Sequence, residues 1–456
     1  MRKTTITRRS FLAGSAACTV GALLTPRLWA QESSQPPIRI RGAQIFDGTS
    51  PEVIQGSDVL IENGMISQIG KGLSAPNGCI QIDADGRTLI PGLLDAHTHI
   101  MWNDEIEELI YGAPEGYSGV LAAANAKAML HRGFTTVRDL GGPSFGLKKA
   151  IDNGYAEGPR ILPSGAFISQ TSGHGDFDKR SFYLSPHRTG RIDKAYLRGW
   201  TMIADGIAEV QKATREVLRS GATQIKVFGS GSITGAHDPL DVTEYTLEEL
   251  KAIVKEAEHW GTYAAIHAYS DEAIQNAVKA GIKSIEHGLF ATEESMQMIK
   301  DNDVWFSTQF LSYSLKPEEA GMTGINAQKY LIAQRGAEAG YRLAKKMGVK
   351  VAWGTDILGS LKLAEAQPQE FVARLKYFSA YEILKQATSQ NAELFSLCGK
   401  RHPYQDGPLG VIKKGAYADL LIVNGNPLDD IKLLADPKRN LEVIMKGGQV
   451  HKNKLG

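Results

Sequence analysis

Two kinds of apolar spacing divide this chain. From Ile38 to Ile82, and again from Ala418 to Val450, short apolar runs are separated by turns of Asp, Asn and Gly. Residues 40–45, 58–61 and 65–69 form one such series, with Asn63-Gly64 between the last two. Asn-Gly between apolar runs is a strong hairpin signal, because both residues tolerate the positive φ of a tight turn. Residues 418–423, 441–445 and 447–450 repeat the pattern at the other end. The two ends, 31–87 and 408–456, are therefore expected to join in one small β-sandwich.

The middle, 88–407, alternates strand-like and helix-like spacing. Candidate strands are 88–93, 135–138, 160–166, 224–228, 263–267, 284–286, 304–308 and 350–353. Between them, Leu247–His259 places Leu250, Ile253, Val254 and Ala257 on one helical face, and Asp271–Ala280 reads as another helix. Strands alternating with helices imply a parallel α/β sheet. Eight units imply a closed (β/α)8 TIM barrel, with an open doubly wound sheet as the alternative. A chain of 456 residues is long enough for such a barrel and a satellite domain.

The first thirty residues do not fit either pattern. Thr7-Arg8-Arg9-Ser10-Phe11-Leu12 is a twin-arginine sequence, a weakly apolar stretch runs from Ala13 to Leu24, and Leu28-Trp29-Ala30 offers a cleavage site. This predicts a twin-arginine signal peptide and a periplasmic or secreted enzyme. The apolar stretch is too short to span a bilayer comfortably, so no stable membrane span is expected. Ser15 is a poor residue three places before Cys18, which argues against a lipoprotein site. The segment holds five basic residues and no acid, so its removal takes the formal charge from +1 to about −4. No basic patch for nucleic acid remains. Cys79 and Cys398 are too few for a disulfide framework and lack metal-ligand spacing.

Chemistry concentrates at the ends of the candidate barrel strands, where (β/α)8 enzymes build their sites. His97-Thr98-His99 follows a mostly apolar run. Two residues two apart on an extended segment face the same way, so both imidazoles can reach one metal ion. Lys226 lies inside the fourth strand, His267 ends the fifth, His287 follows the sixth and Asp356 follows the eighth. Singly, a histidine after a strand is usually a packing residue, and an aspartate after Gly-Thr is usually a turn or cap residue. Six such residues at matching strand ends are a different matter. Lys226 is the most unusual of them, because an ammonium inside an apolar strand is costly. A neutral lysine there is a nucleophile, and by adding carbon dioxide it becomes an anionic carbamate able to bridge two metals.

In these motifs, in this order, the chain resembles the amidohydrolase superfamily, and within it the binuclear-metal prolidase, Xaa-Arg/Lys dipeptidase and ochratoxinase branch. The resemblance covers essentially all of the chain after residue 30. It implies two divalent metals, zinc being the expected ion: His97, His99 and Asp356 on one, His267 and His287 on the other, and N6-carboxylated Lys226 between them. It implies that Asp356 and Lys226 are catalytic, with Asp356 moving a proton from water to the leaving amine. It further implies that His174 and Tyr269 contact substrate, and that the enzyme is a homo-oligomer.

The expected reaction is hydrolysis of an amide bond beside a carboxylate, in a dipeptide or an N-acyl amino acid such as an ochratoxin. Hydrolysis of a cyclic amide or imide, as in imidazolonepropionase-like enzymes, is the alternative, together with lactone or phosphotriester hydrolysis. A non-catalytic binding protein on the same fold is disfavoured because all six ligands are present. The loop 229–238 is expected to line the pocket. The acids Asp176, Asp178, Asp238 and Asp241 near the mouth suggest a basic substrate. His131, His187, His237, His259, His402 and His451 read as structural.

Overall fold

The computed structural model describes residues 36–178, 190, 193–235 and 238–456. The twin-arginine segment, His187 and His237 lie outside the described residues. No described helix is long and apolar enough to cross a membrane.

The chain ends share one sheet. Its order is Gln449–Asn453, Leu441–Lys446, Leu420–Val423, Thr88–Pro91, Ile38–Ile45, Ile54–Glu62 and Met65–Gly70, with Ile80–Asp83 beside Ile38–Ile45. Thr88–Pro91 joins the two ends, antiparallel to Leu420–Val423 and parallel to Ile38–Ile45. The sheet then folds back on itself, because Ile66 N–H donates to the Ala416 carbonyl (2.8 Å) and Ala418 N–H to that of Gly64 (2.9 Å). Ile40, Ile45, Val59, Leu89, Leu420 and Ile422 are buried in the core it encloses. Cys79 and Cys398 are both free, Cys398 buried and Cys79 partly so.

The eight barrel strands are Leu93–Thr98, Phe134–Asp139, a third in two pieces (Arg160–Pro163 and Phe167–Ser169), Ile225–Phe228, Ala264–Ala268, Ser284–His287, Trp305–Ser307 and Val351–Ala352. Parallel pairing runs from the first to the third and from the third to the eighth. Ala96 N–H donating to the Trp353 carbonyl (2.9 Å) closes the ring. The expected first strand, 88–93, is corrected. Its apolar run serves two sheets, Thr88–Pro91 in the sandwich and Leu93–Thr98 in the barrel, with the break at Gly92. Gly92 is needed there, since a Cβ would lie 2.2 Å from the Thr135 hydroxyl. The correction places His97 within the strand rather than after it.

The helices follow their sequence signals. Leu247–His259 starts at a capping box in which the Thr246 side chain and the Glu249 carboxylate each satisfy the other's backbone N–H. Asp271–Ala280 starts at Ser270 and stops at Gly281, whose φ of 95° ends the helix in the left-handed region.

One side chain stitches the barrel seam. Asn391 Nδ2 donates to the Leu94 (2.8 Å) and Trp353 (2.7 Å) carbonyls, and Asn391 Oδ1 accepts from Trp353 N–H (3.1 Å). Asn391→Ala removes a partner from each of these buried backbone groups, the Trp353 carbonyl keeping the Ala96 N–H, so a loss of about 1–3 kcal/mol is expected. A urea midpoint unchanged from wild type would show that the seam does not depend on it.

Candidate metal centre and substrate cavity

The eight residues singled out by sequence, His97, His99, His174, Lys226, His267, Tyr269, His287 and Asp356, all line one cavity of about 210 Å³. His97 sits in the first strand and His99 just past its end, with ring centroids 5.4 Å apart. Their Nε2 atoms lie 3.3 and 3.0 Å from the same oxygen, Asp356 Oδ1. The ligand atoms of this trio lie within 4.8 Å of one another, which suits one metal ion. His267 and His287 approach to 4.6 Å between centroids, and His287 lies 5.1 Å from His97.

Hydrogen bonds fix which nitrogen of His97, His267 and His287 carries a lone pair. His97 Nδ1 lies 2.8 Å from Glu286 Oε2. A carboxylate only accepts, so Nδ1 is protonated and Nε2 keeps its lone pair. That Nε2 is buried and makes no hydrogen bond, the condition of a ligand atom. His287 Nδ1 donates to Gln309 Oε1 (2.7 Å), which leaves its Nε2. His267 Nε2 donates to the Gly231 carbonyl (3.3 Å), which leaves its Nδ1. Burial pushes His97 down to about 4 and His287 to about 3, and holds His267 well below its ordinary value. All three are therefore neutral at pH 7, as ligation requires. Burial works to raise Asp356, but the neighbouring His97, His99 and His287 outweigh it and keep the carboxylate ionised. This donor set fits a divalent metal of the zinc type.

Behind the ligands lies a buried ion pair that sequence reading did not anticipate. Glu286 Oε1 accepts from Arg138 (2.8 Å), and both side chains are fully buried. Arg138 also donates to the Ala96 carbonyl, Tyr263 Oη (3.0 Å) and Ser284 Oγ. Burial opposes ionisation of Glu286, but Arg138 and His97 hold it well below the usual carboxylate range. Strands one, two and six thus meet at one carboxylate. Gln309 was likewise missed. A polar residue repeated inside apolar strands was the available signal, but nothing local pairs positions 148 residues apart.

Two candidate ligands carry backbone strain. His287 has φ 72° and Asp356 φ 52°, in the left-handed region that side chains with a Cβ disfavour. Such conformations cost about 1–3 kcal/mol each and concentrate at functional sites.

Lys226 is buried in the fourth strand, its Nζ 5.8 Å from the Phe228 ring centroid, with no hydrogen bond or ion pair among the described residues. Burial lowers its pKa to about 8. Among the described residues it is the sole lysine or arginine on the cavity wall. His174 packs 4.7 Å from His267 by centroids, and burial brings its pKa to about 4. Tyr269 Oη lies 3.1 Å from Tyr313 Oη. The outer wall is largely apolar, formed in part by Leu311, Leu315, Met322, Ile357 and Leu358, with the exposed Glu319 at its edge. The expectation that acids at the mouth favour a basic substrate is corrected. None of Asp176, Asp178, Asp238 and Asp241 lines the cavity. Asp238 is buried, accepting from Ser232 N–H (2.6 Å), and Asp176 accepts from the N–H groups of Ser172 and Asp178 within its own turn.

Two outcomes follow from these electrostatics. Glu286→Ala leaves the Arg138 charge buried and unpaired, and a loss of about 3–5 kcal/mol in denaturant unfolding is expected. The metal-free protein should also weaken as pH falls from about 6.5 to 5. His97, His174 and His287 titrate lower in the folded chain than unfolded, so the unfolded state binds more protons in that window. The loss should be on the order of 1–2 kcal/mol per histidine, read from unfolding midpoints across pH. Asp95, Asp139 and Glu244, which burial raises to about 6, 6 and 8, gain protons on folding in the same window and offset part of this loss. The check is therefore His97→Gln against wild type. The variant should lose about 1–2 kcal/mol less over the window, and an equal loss would contradict the neutral assignment.

Comparison with known proteins agrees with this geometry. The amidohydrolase family model matches residues 88–450. An ochratoxinase of Aspergillus niger is 30% identical over 419 residues, 88% of this chain and 84% of that one. Its crystal structure superposes with a TM-score of 0.80, covering 92% of this chain and 96% of that one. A prolidase structure complexed with N-methylphosphonate-L-proline is 32% identical with a TM-score of 0.84, covering 91% and 100%. A Xaa-Pro dipeptidase with bound methionine is 28% identical with a TM-score of 0.78, covering 91% and 100%. This chain belongs to the amidohydrolase family and is a metal-dependent hydrolase of carbon–nitrogen bonds.

Proposed function

We propose that this enzyme cleaves the amide bond of an N-acyl amino acid or dipeptide whose side groups are apolar or aromatic, using two divalent metals bridged by carboxylated Lys226. The observation that carries the reading is Lys226 itself: a buried amine with no hydrogen bond or ion pair among the described residues, on the same cavity wall as five histidines and Asp356. Addition of carbon dioxide to the neutral amine forms a carbamate and releases a proton, turning an expensive buried cation into an anionic ligand. His97, His99 and Asp356 would hold one metal, and His267 and His287 the other. Zinc matches the imidazole and carboxylate donors.

When bound, the metals supply Lewis acidity and make water acidic enough to act as a nucleophile near neutral pH. The protein's own groups do the rest. Asp356, ionised and at the centre of the cluster, accepts the proton of the attacking water and delivers it to the departing nitrogen. His174 and Tyr269 offer neutral hydrogen-bond donors to the substrate's carbonyl and carboxylate oxygens. The apolar outer wall receives the acyl group or side chain and excludes water from the reacting centre. Among the described residues Glu319 is the one acid on the outer wall, exposed at the mouth, and the apolar lining around it favours an apolar over a basic side chain. The names of the relatives, ochratoxinase, prolidase and Xaa-Pro dipeptidase, support an amide beside a carboxylate. Export by the twin-arginine route, proposed on Arg8-Arg9, suits an enzyme that loads metal before it leaves the cytoplasm.

The test joins metal analysis to hydrolysis of a panel holding N-acetyl-phenylalanine, ochratoxin A, Leu-Phe and Leu-Arg. About two metals per chain, and kcat/KM at least tenfold higher for Leu-Phe than for Leu-Arg, are expected. Lys226→Ala should lose at least one metal, and Asp356→Asn should lower kcat by about 10²–10⁴-fold. One metal retained in Lys226→Ala with undiminished turnover would overturn the bridged centre.

A further inference from the structure

Behind His174 lies a small polar assembly that the chemistry above leaves unused. His174 Nδ1 lies 2.7 Å from Ser232 Oγ and 3.6 Å from Asp238 Oδ2. Ser232 Oγ already accepts from Gly235 N–H (2.8 Å), and Ser232 N–H donates to Asp238 Oδ2 (2.6 Å). The backbone of His174 is held separately, its N–H donating to buried Glu244 Oε1 (2.7 Å). The Ser232 loop is in turn fastened by Lys329, whose Nζ donates to the Ser232 (3.2 Å) and Asp238 (2.9 Å) carbonyls.

The direction of the Ser232–His174 bond follows from counting hydrogens. A serine hydroxyl has one hydrogen to give and two lone pairs. Gly235 N–H occupies one lone pair. If His174 Nδ1 were the donor, the serine hydrogen would have no acceptor among the described residues. If Ser232 donates, the hydroxyl hydrogen and Nδ1 are both paired: Oγ–H goes to Nδ1, and the proton of the neutral imidazole resides on Nε2. That nitrogen has no hydrogen-bond partner among the described residues, on a ring that lines the cavity.

We propose that Ser232 is a positioning residue that keeps His174 in its Nε2–H tautomer, so that the ring presents a hydrogen-bond donor to a substrate oxygen. The need for it lies in Asp238. A carboxylate 3.6 Å from Nδ1 favours a proton on Nδ1, and without the serine it would draw the proton there. Nε2 would then become an acceptor facing an anionic or carbonyl oxygen, which repels rather than binds it. Asp238 anchors the Ser232 backbone, and the Ser232 hydroxyl keeps that same carboxylate from setting the wrong tautomer. The inference rests on the reading of His174 as a substrate contact.

The experiment labels histidine with 15N in the zinc-loaded enzyme and reads the tautomer of His174 from its two nitrogen shifts, assigned by their loss in His174→Gln. It needs no substrate, so failure of the proposed amide hydrolysis would show separately in the activity panel. The wild type should show protonated Nε2 only. Ser232→Ala should move the proton to Nδ1, and Ser232→Thr, which keeps the hydroxyl, should restore it. For N-acetyl-phenylalanine, Ser232→Ala should raise KM about tenfold with kcat changed less than threefold, and Ser232→Thr should recover KM. Protonated Nδ1 in the wild type, or an unchanged tautomer in Ser232→Ala, would overturn the proposal. So would a tautomer shift that leaves KM untouched.

Discussion

The site depends on one buried carboxylate. Glu286 takes the Arg138 guanidinium on one oxygen and His97 Nδ1 on the other. Neither charge is tolerable alone in an apolar barrel, and together they remain ionised without solvent. The pair therefore cannot drift. Arg138 is tied to the Ala96 carbonyl, Tyr263 and Ser284, so the carboxylate is located by several strands at once. His97 inherits that location, and Asp356 is aligned against His97 through its own backbone, with Asp356 N–H donating to the His97 carbonyl (2.8 Å). The rigidity of the metal centre is in this sense the rigidity of an ion pair that touches no metal.

The electrostatic plan of the cavity is economical. The imidazoles of His97, His174, His267 and His287 are kept neutral by burial, and its one wall lysine lacks an ionic partner among the described residues. Its carboxylate is kept charged by the rings around it. Such a pocket carries little net charge to attract or repel substrate at a distance. Selection then falls to the shape of the apolar wall and to a few directed hydrogen bonds, where a missing partner is costly.

Much of this was legible in the sequence, for a local reason. Each candidate ligand sits at the end of an apolar run, so strand periodicity and residue type together marked its place. His97 and His99 stood out by their spacing, and the residues at the other strand ends gave that spacing its meaning. The first strand was misplaced because one apolar run, from Leu89 to Leu94, feeds two sheets, and only Pro91-Gly92 marks the change. Glu286, Arg138, Gln309 and Ser232 were not legible. Their meaning lies in partners 148 to 212 residues away, or, for Ser232, in a loop whose turns are set by its contacts rather than by its sequence. The acids near the mouth misled for the converse reason. A sequence shows that Asp238 is acidic but not that its carboxylate is buried and turned onto the Ser232 N–H.

The left-handed backbone at His287 and Asp356 has an evolutionary consequence. Glycine or asparagine would sit at either position with less strain, so selection for stability alone pushes against both ligands. They persist only while function holds them. In a lineage released from catalysis, these two sites would be among the first to relax. Their joint presence therefore records continued use of the site more faithfully than the fold does.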